Sequence, residues 1–63
     1  MKFQDVLRVL KKDGWYVVDQ HGSHLQLKHT IKKGRVTLPR HGNKDIPIET
    51  LKSIAKQSGL KLP

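Results

Sequence analysis

Three of the four histidines in this 63-residue chain lie in one stretch, HGSHLQLKH, which runs from His21 to His29. Neutral imidazoles can bind zinc, but structural zinc sites usually include cysteine, and this chain has no cysteine. Histidine also suits acid–base catalysis, because its unperturbed pKa of about 6.5 lies close to working pH. Metal binding is therefore the least favoured interpretation, and both an acid–base residue and a hairpin with incidental histidines remain open.

Two segments have the spacing of amphipathic helices. Apolar residues at i, i+3, i+4 and i+7 predict a first helix over about residues 2–12, which Gly14 ends. Pro47 suits the first position of a second helix, Glu49 complements its dipole, and Gly59 ends it. The apolar residues of that second helix are Ile48, Leu51, Ile54 and Ala55.

Between the helices, aromatic, β-branched and alternating residues predict three strands over residues 15–20, 24–29 and 35–39. The segments HGSH and TIKKG connect them as two hairpins, and RHGNKD forms a loop before the second helix. We therefore predict a single α+β domain over residues 1–63 in the order α-β-β-β-α. Two helices cover one face of a three-stranded antiparallel sheet and leave the other face open to solvent.

Strand alternation predicts which side chains reach the open face. If Leu25 and Leu27 face the helices, His29 also turns inward, and the residues between them point outward. The same register sets His24 opposite Pro39. A His21-Gly22 turn would place Asp19 opposite His24, and a Gly22-Ser23 turn would place it one diagonal step away. The predicted outward patch comprises Asp19, His24, Gln26, Lys28, Arg35, Arg40 and His41.

Charge indicates the class of partner. Thirteen Lys and Arg against five Asp and Glu give a net charge of +8, which favours a polyanion such as nucleic acid. RNA carries its own nucleophile, the 2′-hydroxyl, so one base and several cations could cleave it without metal or cofactor. No signal peptide or transmembrane segment is recognisable, so we expect a soluble cytoplasmic protein without a membrane partner.

The segments GSH after the first strand, LQLKH, VTLPRHGNKDI and LKSIAKQSGL, in this order, resemble the HicA (YcfA-like) toxins of toxin–antitoxin systems. The resemblance covers nearly the whole chain. It implies a fold like that of double-stranded-RNA-binding domains and a ribosome-independent mRNA interferase that halts growth. It also implies that His24 is the essential histidine, with Gly22 and Ser23 as its turn, and that a HicB-type antitoxin covers the active site.

The combined interpretation is a metal-independent endoribonuclease acting on single-stranded mRNA. His24 is the expected general base, Asp19 a possible orienting residue, and His41 or a nearby cation a possible proton donor, although a loop role is favoured for His41. The expected RNA contacts are Lys28, Arg35, Arg40 and Lys44, with Lys32 and Lys33 as weaker candidates. The alternative is a non-catalytic double-stranded-RNA-binding module, which usually has a basic cluster at the start of its last helix. Here that turn reads IPIET.

Overall fold

The structure, a computed structural model that describes all 63 residues, has the predicted α-β-β-β-α order. Its elements are α1 (Phe3–Asp13), β1 (Trp15–His21), β2 (His24–His29), β3 (Val36–Pro39) and α2 (Ile48–Ser58). The strands form one antiparallel sheet in the order β1-β2-β3. Helix α1 packs on β1 and β3, and α2 packs on β3. The α+β fold class is thereby confirmed.

Helix α1 begins and ends one residue later than predicted. Phe3, Val6 and Leu10 are buried in the core, as the apolar spacing predicts, and Leu7 is half-buried. Gly14 ends the helix with φ of 108°, a conformation that favours glycine, and its N–H donates to the last carbonyls of the helix. The helix therefore turns sharply into β1.

The start of α2 differs from the prediction. Pro47 has an extended conformation, with ψ of 145°, and so precedes the helix instead of occupying its first position. Ile48 is 57% exposed, so its assignment to the core stripe is wrong. The apolar side chain that fills the core here is Ile46, whose N–H donates to the carbonyl of Met1 at 2.8 Å. Leu51 and Ile54 are buried as predicted.

A β-bulge in β1 decides which of its residues face solvent. Val17 pairs with Leu27, but Asp19 pairs with Gln26, so Val18 is the extra residue of the bulge. Without it, Asp19 would lie on the same face as Trp15, which is buried in the core. The bulge therefore turns the Asp19 side chain onto the open face.

At the other end of β2, His29 has a structural role. Its side chain is only 8% exposed, and its ring contacts the Trp15 ring edge-on at 5.2 Å. The Nδ1 atom accepts the backbone N–H groups of Ile31 and Lys32, so Nε2 carries the proton and donates to the carbonyl of Asp13 at 2.7 Å. His29 thus turns inward, as strand alternation predicts.

Lys32 ties the same region to the second helix. Its ammonium donates to the Asp13 carboxylate at 2.7 Å and to the carbonyl of Ser58 at 3.0 Å. The hydrogen bond from Lys32 lowers the pKa of Asp13 below its ordinary value of 3.8. Lys32 therefore links the end of α1 to the end of α2, and its role as an RNA contact stays a prediction.

Candidate functional site

The open face of the sheet is a shallow polar surface, because both helices pack on the opposite face. We call it the outer face. From β1 and β2 it carries Tyr16, Asp19, His21, His24, Gln26 and Lys28, and from β3 it carries Thr37 and Pro39. His24 pairs with His21 on one side and with Pro39 on the other. It is exposed, and no protein group is hydrogen bonded to its ring.

His24 is placed by the tight turn that precedes it. The His21–His24 pair leaves Gly22 and Ser23 as the two turn residues, which settles the alternative that the sequence left open. Gly22 has φ of 59° and Ser23 does not have positive φ, which is the φ pattern of a type II′ turn. The Ser23 carbonyl accepts the N–H of Arg40 at 2.7 Å, so the turn is also fixed to the end of β3.

Asp19 is not the orienting partner of His24. Its Oδ2 atom lies 2.9 Å from Nε2 of His21, and its Oδ1 accepts the backbone N–H of Gln20 at 2.8 Å. The hydrogen bond from Gln20, followed by the charge of His21, lowers the pKa of Asp19 below 3.8. The expected orienting contact is therefore corrected, because the carboxylate binds the histidine on its own strand.

Two of the predicted RNA contacts belong to the same surface as His24. Lys28 pairs with Tyr16 on the outer face. Arg35 immediately precedes β3, and its positive charge contributes to the lowered pKa of Asp19. Both side chains are exposed. The outer face therefore carries two cations at the end opposite His24, and Asp19 lies between them and the turn.

The other two predicted contacts lie elsewhere. The guanidinium of Arg40 sits 4.9 Å from the centre of the Phe3 ring, a cation–π contact on the side of α1. Strand alternation explains this position, since Arg40 follows the outward Pro39. Lys44 lies in the loop before α2 and donates its N–H to the carbonyl of His41 at 3.1 Å. The structure therefore does not group Arg40 or Lys44 with His24.

The concave features of the surface are not at His24. One is an open groove of about 340 Å³ beside α1, lined by Phe3, Gln4, Leu7, Arg8, Lys11 and Arg40. Another, of about 380 Å³, is lined by Val9, Lys12, Asp13 and Leu60. The outer face around His24 is a shallow surface instead. None of the grooves includes His24 in its lining.

Sequence reasoning missed two residues of the outer face. Tyr16 is 46% exposed opposite Lys28, and His21 pairs directly with His24. Strand alternation was the available signal for Tyr16, because Trp15 next to it is apolar and faces the core. His21 lies on the outer face because of the bulge at Val18, and no sequence pattern predicts that bulge.

The surface offers acid–base groups and cations but no metal-binding cluster. Nowhere in the chain do three His, Asp or Glu side chains come together in a way that could hold a metal ion. Both helices are 11 residues long, and neither has the length and apolar character needed to cross a membrane.

Comparison with known proteins gives one family. A family model described as "HicA toxin of bacterial toxin-antitoxin" matches residues 3–60. That range includes both helices and all three strands. The comparison with curated proteins gives no match.

Proposed function

Because this chain belongs to the HicA toxin family of bacterial toxin–antitoxin systems, we propose that it is a metal-independent endoribonuclease that cleaves mRNA without the ribosome. The observation that carries the proposal is the position of His24. It follows the Gly22-Ser23 turn, which resembles the family motif, and it is exposed on an uncovered sheet face that also carries Lys28 and Arg35. Such a toxin would act in the cytoplasm and halt growth by destroying transcripts.

His24 is the proposed general base. Its neutral ring takes the proton of a 2′-hydroxyl, and the resulting oxyanion attacks the adjacent phosphate. Cations that reach the phosphate would stabilise the negative charge that develops on it. Lys28 and Arg35 are the cations on the outer face that could perform this task. Gly22 and Ser23 support the reaction only by holding His24 in place.

Single-stranded RNA is the proposed substrate. An exposed aromatic ring beside cations is a typical platform for an unpaired base, and Tyr16 next to Lys28 has this arrangement. A double-stranded-RNA-binding module instead needs cations at the start of its last helix. Here α2 begins with Ile48 and Glu49, and its first lysine is Lys52.

Two substitutions separate stacking from charge in RNA binding. Tyr16→Ala is expected to weaken binding of a single-stranded oligonucleotide by about 1–3 kcal/mol, or roughly 5- to 150-fold. Lys28→Ala is expected to reduce the slope of log K against log salt by about 0.7, because one fewer phosphate is neutralised. Titrations at several salt concentrations measure both effects. Lys56→Ala in α2 is the matched control, and an equal loss in that variant would exclude a specific role for Lys28.

The partner of a toxin in such a system is an antitoxin. We assign it to the HicB type, and it would neutralise the toxin by covering the outer face around His24. Adding the purified antitoxin to a cleavage reaction tests this assignment. Inhibition that saturates at a fixed ratio, with protection of the outer face from hydrogen exchange, is the expected result. Inhibition without protection of β1 or β2 would show that another surface is bound.

The direct test of the proposed function uses the purified chain, an end-labelled mRNA and EDTA, with no ribosomes. Cleavage by the wild-type protein is expected. If the protein binds the RNA but leaves it intact, the non-catalytic binding module is favoured. If it neither binds nor cleaves RNA, the proposal of an RNA substrate is wrong.

A further inference from the structure

His21 and His24 form the last pair of the β1–β2 ladder before the turn. Both are exposed, and both belong to the outer face. Directly paired residues on one face of an antiparallel sheet have Cβ atoms about 4.5–5.5 Å apart. The first hairpin therefore presents two imidazoles side by side, although the motif that marks His24 does not include His21.

The two imidazoles have different surroundings. The ring of His21 is 2.9 Å from Oδ2 of Asp19, whereas the His24 ring binds no protein group. Asp19 is itself held by the backbone N–H of Gln20, which lowers its pKa and keeps it ionised at neutral pH. The carboxylate therefore fixes the position of the His21 ring, whereas the His24 ring is left open to a substrate. The pair thus offers two separate imidazoles, one for each of the two proton transfers that the proposed reaction needs.

We infer that His21 is the general acid of the proposed cleavage reaction and that Asp19 is its positioning residue. This inference rests on the proposed function, because a general acid needs a reaction to serve. The bulge at Val18 supports it, since the bulge is what turns both Asp19 and His21 onto the face that carries His24. Bulges next to active sites commonly re-aim a side chain in this way.

The reaction balances in one step. His24 takes the proton of the 2′-hydroxyl, and the O2′–P bond forms while the P–O5′ bond breaks. His21 gives its ring proton to the leaving O5′. The products are a 2′,3′-cyclic phosphate and a 5′-hydroxyl, with His24 protonated and His21 neutral. Exchange of protons with water then restores both rings.

A modified substrate isolates the proton given by His21. In an oligonucleotide whose scissile 5′-oxygen is replaced by sulfur, the leaving thiolate needs no proton. His21→Ala is expected to cleave the normal RNA at least about 10²-fold more slowly than the wild type does. The same variant should cleave the sulfur substrate nearly as fast as the wild type. His24→Ala should remain slow on both substrates, because sulfur does not replace the base.

The pH dependence gives a second readout. The charged or titratable groups on the outer face around His21 are Tyr16, Asp19, His24, Lys28 and Arg35, and no helix packs against this face. A bell-shaped profile of kcat is expected for the wild type. His21→Ala should lose the alkaline limb only. Asp19→Asn should lower kcat more than it changes KM, because the ring of His21 loses the contact that holds it in position.

The outcomes separate the inference from the proposed function. Failure of the wild type to cleave either substrate would defeat the proposed function. Normal cleavage of RNA by His21→Ala, with a wild-type alkaline limb, would overturn the inference and leave the proposed function standing. If His41→Ala, instead of His21→Ala, is rescued by the sulfur substrate, then the proton donor is His41 and the inference is wrong.

Discussion

Replacing His24 with alanine is expected to slow RNA cleavage by about 10²- to 10⁴-fold, the usual contribution of a positioned acid–base group. The loss follows from the chemistry proposed for the ring, which no other group could perform from the same position. Affinity for RNA and thermal stability should change little, because His24 is exposed and its ring forms no hydrogen bond within the protein. The measurement is single-turnover cleavage of a labelled mRNA, with binding and melting followed on the same sample.

Two controls make the result specific to proton transfer. His24→Asn retains a side-chain nitrogen but cannot act as a base, so it should be as slow as His24→Ala. Added imidazole should restore part of the activity of His24→Ala, and more so as the pH rises and the free imidazole becomes neutral. Cleavage at the wild-type rate by His24→Asn would contradict the assignment of His24 as the base.

The second large effect concerns stability. Gly14→Ala is expected to destabilise the fold by about 2–5 kcal/mol, a large part of the total for a domain of this size. Alanine at φ of 108° is strained by about 1–2 kcal/mol. The added methyl group would also lie 2.7 Å from Nε2 of His29 and displace the ring. The part-buried hydrogen bond from His29 to the Asp13 carbonyl would be lost, at about 1–3 kcal/mol.

Gly34→Ala is the matched control for this prediction. Gly34 also has positive φ, at 88°, but a methyl group there would meet no atom within 4 Å. Its cost is therefore the backbone strain alone. Thermal melting measures both variants, with each kcal/mol lowering Tm by about 4–8 °C in a small domain. Equal losses for the two variants, or an undiminished difference in a His29→Ala background, would exclude the clash with His29 as the cause.

Much of the fold was predictable because its determinants are local. The spacing of Phe3, Val6 and Leu10 predicted α1, and the alternation around Leu25 and Leu27 correctly placed His29 inside. Ile48 shows the limit of this reasoning. The spacing of Ile48 fits the apolar stripe of α2. The side chain that fills this part of the core is instead Ile46, which lies in the segment before the helix. Sequence periodicity does not show which of two neighbouring apolar residues reaches the core.

The candidate site was less predictable because it depends on one irregular residue. Val18 shifts the register of β1, and this shift sets Asp19 beside His21 on the outer face. Alternation without the bulge cannot place both Trp15 and Asp19 correctly. The position of Arg40 was predictable, because alternation turns the residue after the outward Pro39 toward the helices. Its contact with the Phe3 ring, which joins residues far apart in the chain, was not.

In the proposed reaction, the outer face cleaves RNA through the 2′-hydroxyl, with His24 as base and no metal ion. The chemistry of the cut ends tests it most directly. RNA treated with the purified protein in EDTA should yield fragments with 2′,3′-cyclic phosphate and 5′-hydroxyl ends, as measured by mass spectrometry. A substrate with a 2′-deoxy residue at the cleaved position should stay intact. Fragments with 3′-hydroxyl and 5′-phosphate ends, or cleavage of the 2′-deoxy substrate, would show that the 2′-hydroxyl is not the nucleophile.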